Sequence, residues 1–202
     1  MADRLERYRK KRDPETSPEP GVRADAAPGK RRRRRKGEPR FVIQKHDAST
    51  LHYDFRLEVD GTLRSWAVPK GPSTDPRERR LAVEVEDHPL EYADFEGVIG
   101  AGYGAGAVIV WDAGTYRNLD EDRSMGETLD AGHAKFWLEG EKLDGGWTLQ
   151  RTGGGAKPQW LLIKRRDEGA DARRNPQSTQ PESVRTGRTI EQVAAGRAED
   201  DA

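Results

Sequence analysis

Apolar and polar residues alternate in short runs through the middle of the chain, from Phe41 to about Arg165. Runs of this kind, bounded by turn signals such as Asp60-Gly61, are typical of β-strands. The predicted strands cover residues 41–46, 51–59, 63–68, 80–86, 105–111, 134–139, 146–151 and 159–165. No segment of this region keeps a 3.6-residue apolar period, so we expect little helix and a mainly antiparallel barrel or sandwich.

The two ends of the chain lack the alternating pattern. Residues 1–40 are rich in Arg, Lys, Glu, Pro and Gly. They predict a short helix in the first dozen residues and then a flexible stretch from Pro14 to Gly37. Residues 166–202 predict a polar tail with one or two helical turns from Thr189 to Ala195. We therefore divide the chain into a basic arm, a β domain over residues 41–165 and a C-terminal tail.

Charge is distributed unevenly, although the 202 residues include 36 Lys or Arg and 36 Asp or Glu. Residues 1–40 hold 15 Lys or Arg and 7 Asp or Glu, a net charge of +8, and they include the consecutive arginines Arg31–Arg35. The remaining residues hold 21 and 29, a net charge of −8. A basic arm on an acidic body favours contact with a polyanion such as nucleic acid, although such runs are also typical of solvated tails.

The composition excludes several classes of protein. The chain has no Cys, which rules out a disulfide scaffold, a thiol nucleophile and a Cys-ligated metal. No apolar run approaches the ~18–20 residues of a membrane span, and the N-terminus lacks the apolar region of a signal peptide. We therefore expect a soluble cytoplasmic protein that does not bind a membrane.

The predicted strand 51–59 carries the clearest chemical signal, because apolar and polar residues alternate strictly along it. Its polar residues share the outer face: His52, Asp54, Arg56 and Glu58. Successive Cα atoms on one face lie roughly 6.5–7 Å apart, so His52 and Asp54 can converge on one ion, with His46 as a third ligand. Two histidines and a carboxylate suit Mn²⁺, Fe²⁺ or Zn²⁺, and Arg56 beside them is typical of a phosphate site.

The alternative interpretation of this strand is an ordinary amphipathic strand with solvated polar residues. The histidines favour the metal site. The chain has only 4 of them, and His46 and His52 lie within seven residues of each other.

Two other segments deserve an interpretation. In the predicted strand 80–86 we expect Leu81, Val83 and Val85 to face the core, and we expect His88 to lie just past its end, where loops commonly place catalytic groups. The glycines around Tyr103 lack the lysine of a phosphate-binding loop and lead into a strand, so we expect a tight connection there. The five tryptophans are expected to pack in the core.

Two long segments together carry a specific resemblance: FVIQKHDASTLHYDFRLEVDGTLRSWAVPKGPS and LAVEVEDHPLEYADFEGVIGAGYGAG. From about Arg12 to about Arg165, the chain resembles the phosphoesterase domain of bacterial DNA ligase D, which also occurs as a stand-alone protein. Met1 and the polar C-terminus favour the stand-alone form.

The resemblance implies both a fold and an activity. The fold is a small closed antiparallel β-barrel with its active site in an outer groove. The activity is that of a Mn²⁺-dependent 3′-end-healing enzyme of nonhomologous end joining, with other divalent transition metals as alternatives. Such an enzyme removes a 3′-terminal ribonucleoside and then the 3′-phosphate at DNA primer-template ends. The implied partners are a DNA ligase and end-binding repair proteins, and the implied location is the nucleoid.

The motif positions also carry over residue roles. The implied metal ligands are His46, His52 and Asp54. The implied catalytic residues are Arg56, Arg80, His88 and Tyr92. The implied substrate-binding residues are Arg12, Asp13, Glu19 and Lys70. Pro14 follows Asp13 where the family usually has an aromatic residue, so the arm departs from the family pattern there. The nucleophile stays open between a water molecule and the substrate's own 2′-OH.

Two other functions remain as alternatives. In a nonheme Fe(II) oxygenase, His52, Asp54 and a distant histidine (His88 or His133) would form the facial triad, and His46 would have no role. In a non-catalytic DNA-binding adaptor, the arginine run would do the binding, which leaves the aligned polar face of residues 51–59 unexplained.

Overall fold

Eight antiparallel strands close into a barrel in the computed structural model, which describes residues 3–22 and 37–200, with side chains up to Gly196. The strands are β1 Arg40–Asp47, β2 Leu51–Val59, β3 Thr62–Val68, β4 Arg80–His88, β5 Gly97–Ile99, β6 Gly106–Asn118, β7 His133–Gly140, β8 Asp144–Gly153 and β9 Gln159–Lys164. The barrel order is β1-β2-β3-β4-β9-β8-β7-β6, and β6 pairs back with β1. The short strand β5 adds to the edge of β6. The closed barrel is confirmed.

Helices are few and short in the described residues, as the sequence predicts. They are α1 Glu6–Lys10, a 3₁₀ turn at Leu90–Asp94, α2 Met125–Asp130, α3 Pro176–Thr179 and α4 Ile190–Asp200. The sequence prediction missed α2, which is only six residues long and is started by a reciprocal capping box between Ser124 and Glu127. It also missed β5, and it ended β6 seven residues early. No helix of the described residues is long and apolar enough to cross a bilayer.

Large side chains fill the barrel interior. Four of the five tryptophans are almost fully buried there: Trp66, Trp111, Trp147 and Trp160. A barrel of eight strands has room for its own side chains and little more. The polar residues of β2 therefore lie on the outside of the barrel, where a groove can form.

The predicted core face of β4 was wrong. Leu81 is 41% exposed, and Ala82 on the opposite face is fully buried in the core. Val85 pairs with Ser65, whose hydroxyl contacts Arg56 on the outer face. The alternation misled because Glu84 takes an interior position, where it accepts a hydrogen bond of 2.8 Å from the indole nitrogen of Trp160.

A β-bulge changes which side chains face outward near the end of β4. Leu63 of β3 pairs with His88 and Ser65 pairs with Val85, so β4 holds one residue more than β3 between these pairs. His88 is thus the last residue of β4 and not a loop residue, which corrects the sequence prediction. Because of the bulge, Glu86 contacts the N-terminal segment while its neighbour Asp87 contacts Thr62.

The segments before and after the barrel lie against its outer surface. Tyr8 of α1 is fully buried against Val42, Leu63 and Tyr92. In the C-terminal segment, α4 packs on β5 and β6. The arginine run Arg31–Arg35 lies outside the described residues.

Candidate active site

The hairpin of β1 and β2 brings three metal-binding side chains together. His46 pairs with His52 across the hairpin, and Asp54 follows two residues later on the same face. One Asp54 oxygen lies 3.6 Å from Nδ1 of His46, and the other lies 3.6 Å from Nε2 of His52. The three ligand atoms lie within 4.8 Å of one another, and no other such group occurs in the described part of the chain.

Backbone carbonyls fix which nitrogen each histidine offers. Nε2 of His46 donates to the Gly104 carbonyl at 2.8 Å, and Nδ1 of His52 donates to the Thr50 carbonyl at 2.8 Å. Because a carbonyl oxygen only accepts, these nitrogens carry the protons, and the opposite ring nitrogens face Asp54. Two imidazole nitrogens and one carboxylate are a donor set that fits a divalent transition metal.

The electrostatics keep Asp54 ionised. Burial alone would raise the pKa of Asp54, but Arg56 and the two histidines hold it well below its usual range. Burial alone would lower the pKa of His52, but Asp54 raises it. A metal ion at this cluster therefore competes with a proton on His52.

Arg56 is held rigidly beside this cluster. It is 2% exposed, and its guanidinium donates to Gln44 at 2.8 Å, to Ser65 at 2.9 Å and to Asp54 at 3.0 Å. Gln44 in turn donates to the carbonyls of Tyr92 and Phe95. A fixed, buried guanidinium next to a metal site is suited to bind a phosphate oxygen.

His88 is a buried, neutral base that is close enough to Arg56 for its charge to act on the ring. Its Nδ1 donates to the Glu86 carbonyl at 2.9 Å, and its Nε2 lies 3.3 Å from Nη2 of Arg12, which donates to it. Burial, together with Arg56 and Arg12, holds the pKa of His88 well below its usual range. The ring packs between Tyr8 and Tyr92.

The N-terminal segment forms a wall of the site. Nε of Arg12 lies 2.9 Å from Oε2 of Glu19, and Nη1 lies 3.2 Å from Oε1 of Glu86. The Tyr92 hydroxyl donates to the other oxygen of Glu19 at 2.9 Å. The structure thus brings Arg12, Glu19 and Tyr92 together with His88.

Three predicted site residues lie at the margin of this arrangement. The Asp13 carboxylate is exposed and accepts from the Glu15 amide within its own turn. Arg80 donates to Glu78 and, at 3.3 Å, to the Lys70 carbonyl. Among the described contacts, none joins Asp13, Lys70 or Arg80 to the histidine–aspartate cluster.

The sequence prediction missed several site residues. Gln44 carried a weak signal, since it is the polar residue that ends the apolar run of β1 and lies opposite Asp54. Glu86 stands in a conspicuous acidic string just before His88. Gly104 and Ser65 carried no signal, because their contacts depend on a loop carbonyl and on strand register.

Known proteins resemble this chain over most of its length. Residues 44–151 match the family described as the DNA ligase D 3′-phosphoesterase domain. The chain is 53% identical over 190 residues to the multifunctional non-homologous end joining protein LigD of Pseudomonas aeruginosa, covering 92% of this chain and 22% of that protein. It is 43% identical over 171 residues to the corresponding DNA repair protein of Mycobacterium tuberculosis, covering 83% and 20%. The chain thus spans about a fifth of the length of the curated relatives that it matches.

Proposed function

Because this chain belongs to the DNA ligase D 3′-phosphoesterase family, we propose that it is a metal-dependent 3′-end-healing phosphoesterase of nonhomologous end joining. It would remove a 3′-terminal ribonucleoside and a 3′-phosphate at primer-template ends. The observation that carries the proposal is the cluster of His46, His52 and Asp54 beside the buried Arg56.

We assign Mn²⁺ to the cluster, since imidazole and carboxylate donors without thiolates favour a hard or borderline ion. A divalent ion held there supplies Lewis-acid polarisation of a phosphate oxygen. Arg56 binds a second phosphate oxygen and stabilises the charge that grows on the phosphoryl group. Its fixed orientation needs no rearrangement when the substrate arrives.

His88 acts as a proton carrier in this proposal. Its Nε2 is unprotonated and faces Arg12 before substrate binds. An incoming phosphate brings negative charge next to the ring, which favours the protonated form. His88 then takes up a proton from solvent at Nε2 and passes it to the leaving oxygen. The bond from that oxygen to phosphorus breaks as the nucleophile, either water or the 2′-OH, forms the new one. Tyr92 holds Glu19 in place, and its own pKa is raised well above the usual value by burial and by Glu19.

The remaining residues position the substrate in this proposal. Arg12, Asp13 and Glu19 orient the 3′-terminal nucleoside, and Lys70 and Arg80 contact the phosphates next to it. A DNA ligase and end-binding proteins are the proposed partners, because a healed 3′ end is the substrate of ligation. Location at the nucleoid follows from the same substrate.

The test measures processing of primer-templates that end in a ribonucleotide or in a 3′-phosphate, with and without Mn²⁺. We expect the wild-type protein to convert both ends to a 3′-OH only when the metal is present. The variant His52→Ala should lose both activities and bind Mn²⁺ more weakly, because it lacks one of three ligands.

The variant His133→Ala is the matched control. His133 lies at the start of β7, outside the cluster, so its removal should leave both activities unchanged. Manganese-dependent activity retained by His52→Ala would refute the ligand assignment. Loss of activity in His133→Ala would show that the activity depends on a residue outside the cluster, and it would contradict the assignment of the site.

A further inference from the structure

Tyr103 differs from every other tyrosine of the chain in its exposure. Its exposed fraction is 48%, whereas the other four are at most 4% exposed: Tyr8, Tyr53, Tyr92 and Tyr116. An exposed aromatic ring is unremarkable on an ordinary surface. This ring, however, lies beside the site described above.

The loop that carries Tyr103 is tied to a metal ligand. Residues 100–105 connect β5 to β6, and Gly102 and Gly104 on either side of Tyr103 have left-handed φ angles of 87° and 77°. The Gly104 carbonyl accepts the hydrogen bond from Nε2 of His46. The ring of Tyr103 is therefore one residue away from the backbone atom that orients His46.

The N-terminal segment also contacts Tyr103, through Lys11 and Arg12. The ammonium of Lys11 lies 3.2 Å from the Tyr103 hydroxyl and 4.5 Å from the ring centre. The same ammonium donates to Glu86 at 2.6 Å. The guanidinium of Arg12, which contacts His88, lies 5.5 Å from the ring centre. The ring thus lies between the loop that orients His46 and the N-terminal segment that contacts His88.

We propose that the ring of Tyr103 is a stacking platform for the base of the 3′-terminal nucleotide. This inference rests on the proposed function. A terminal base has a stacked neighbour on only one side, so its other face is free to stack on an aromatic ring. Stacking tolerates every base, which suits an enzyme that must process any 3′ end. The fixed loop sets the distance from the stacked base to the phosphate held by Arg56.

The test compares Tyr103→Ala, Tyr103→Phe and the wild type on two ribonucleotide-terminated primer-templates. One carries a normal base on the terminal ribose and the other carries none. On the normal end we expect Tyr103→Ala to lose about 5- to 150-fold in kcat/KM, as for removal of one base stack. Tyr103→Phe should retain activity, because it keeps the ring. On the abasic end, Tyr103→Ala and the wild type should be equal.

Other outcomes overturn the inference. If Tyr103→Phe loses as much as Tyr103→Ala, the hydroxyl bond to Lys11 matters and the ring only anchors the N-terminal segment. If Tyr103→Ala loses equally on both ends, the ring does not contact the base. If the wild-type protein processes neither end, the proposed function itself is refuted. If the wild type is active and the variants show either of these two patterns, only the stacking platform is refuted.

Discussion

At the scale of single residues, the chemistry of the site depends on which histidine nitrogens carry protons. His88 has two guanidiniums nearby and is buried between two tyrosine rings, so the charged imidazolium is disfavoured. Its folded-state pKa is lower than that of the unfolded chain. Below a pH of about 6.5 the folded chain therefore binds fewer protons at this position, and His88 lowers stability as the pH falls.

We predict that His88 stays uncharged well below pH 6.5, and that Arg12→Ala raises its pKa. Removal of Arg12 takes away a positive charge and opens the ring to water, and both changes favour the imidazolium. An NMR titration of the four histidines in the metal-free protein measures this directly. Arg117→Ala on β6 is the control and should leave the His88 titration unchanged. An unaltered His88 pKa in Arg12→Ala would contradict the contact that the structure shows.

At the scale of elements, one buried carboxylate connects two parts of the barrel. Asp112 of β6 accepts hydrogen bonds from the backbone amides of Glu141, Lys142 and Leu143, which form the turn between β7 and β8, and from its neighbour Ala113. Burial raises the pKa of Asp112 to about 6, although these amides oppose the shift. Asp112 thus fixes the β7–β8 turn on the strand that pairs with β1.

We predict that Asp112→Ala lowers the free energy of unfolding by about 2–6 kcal/mol, because the buried amides of Lys142 and Leu143 lose their acceptor and each unpaired donor costs about 1–3 kcal/mol. Chemical denaturation measures the change. Asp122→Ala, in an exposed loop, should unfold like the wild type. Equal stability of the two variants would show that the turn holds without Asp112.

The pH dependence of stability provides a second measurement at Asp112. The folded chain holds this proton more tightly than the unfolded chain, whose carboxyl titrates near the ordinary value of 3.8. Asp112 therefore makes the stability fall as the pH rises from about 4 to about 6. Asp112→Asn should remove that contribution, so the difference in stability between wild type and variant should vary across this range.

At the scale of the whole molecule, the structure shows how the first part of the +8 arm packs on the −8 remainder of the chain. Residues 3–22 of the arm pack on the outer surface of the barrel and contribute Arg12 and Glu19 to the site. The arginines Arg31–Arg35 belong to the same arm by sequence and lie outside the described residues.

We predict that replacing Arg31–Arg35 by serine weakens DNA binding and flattens its salt dependence. Each arginine that neutralises a phosphate contributes about 0.9 to the slope of log affinity against log salt concentration. Fluorescence anisotropy at several salt concentrations measures that slope. Replacement of Arg165, Arg166 and Arg173 is a control of similar type on the C-terminal side. An unchanged slope in the serine variant would show that the arginine run does not bind DNA and is only a solvated tail.

The strand pattern and the site histidines were predictable from the sequence for different reasons. Alternation on β2 put His52, Asp54 and Arg56 on one outer face, and this follows from the period of an extended chain alone. On β4, alternation predicts the wrong core face, because Glu84 occupies an interior position and a bulge shifts the register before His88. Alternation is reliable only where the polar residues all face one side.

The sequence by itself determined the β content, the charge division and the alignment of His52, Asp54 and Arg56, because these follow from composition and from alternation along single strands. Only the tertiary structure decided which groups orient them. Gly104 fixes His46, Gln44 and Ser65 fix Arg56, and Arg12 faces His88. These contacts join loops, different strands and the N-terminal segment, so they depend on barrel closure and register, which no local pattern encodes.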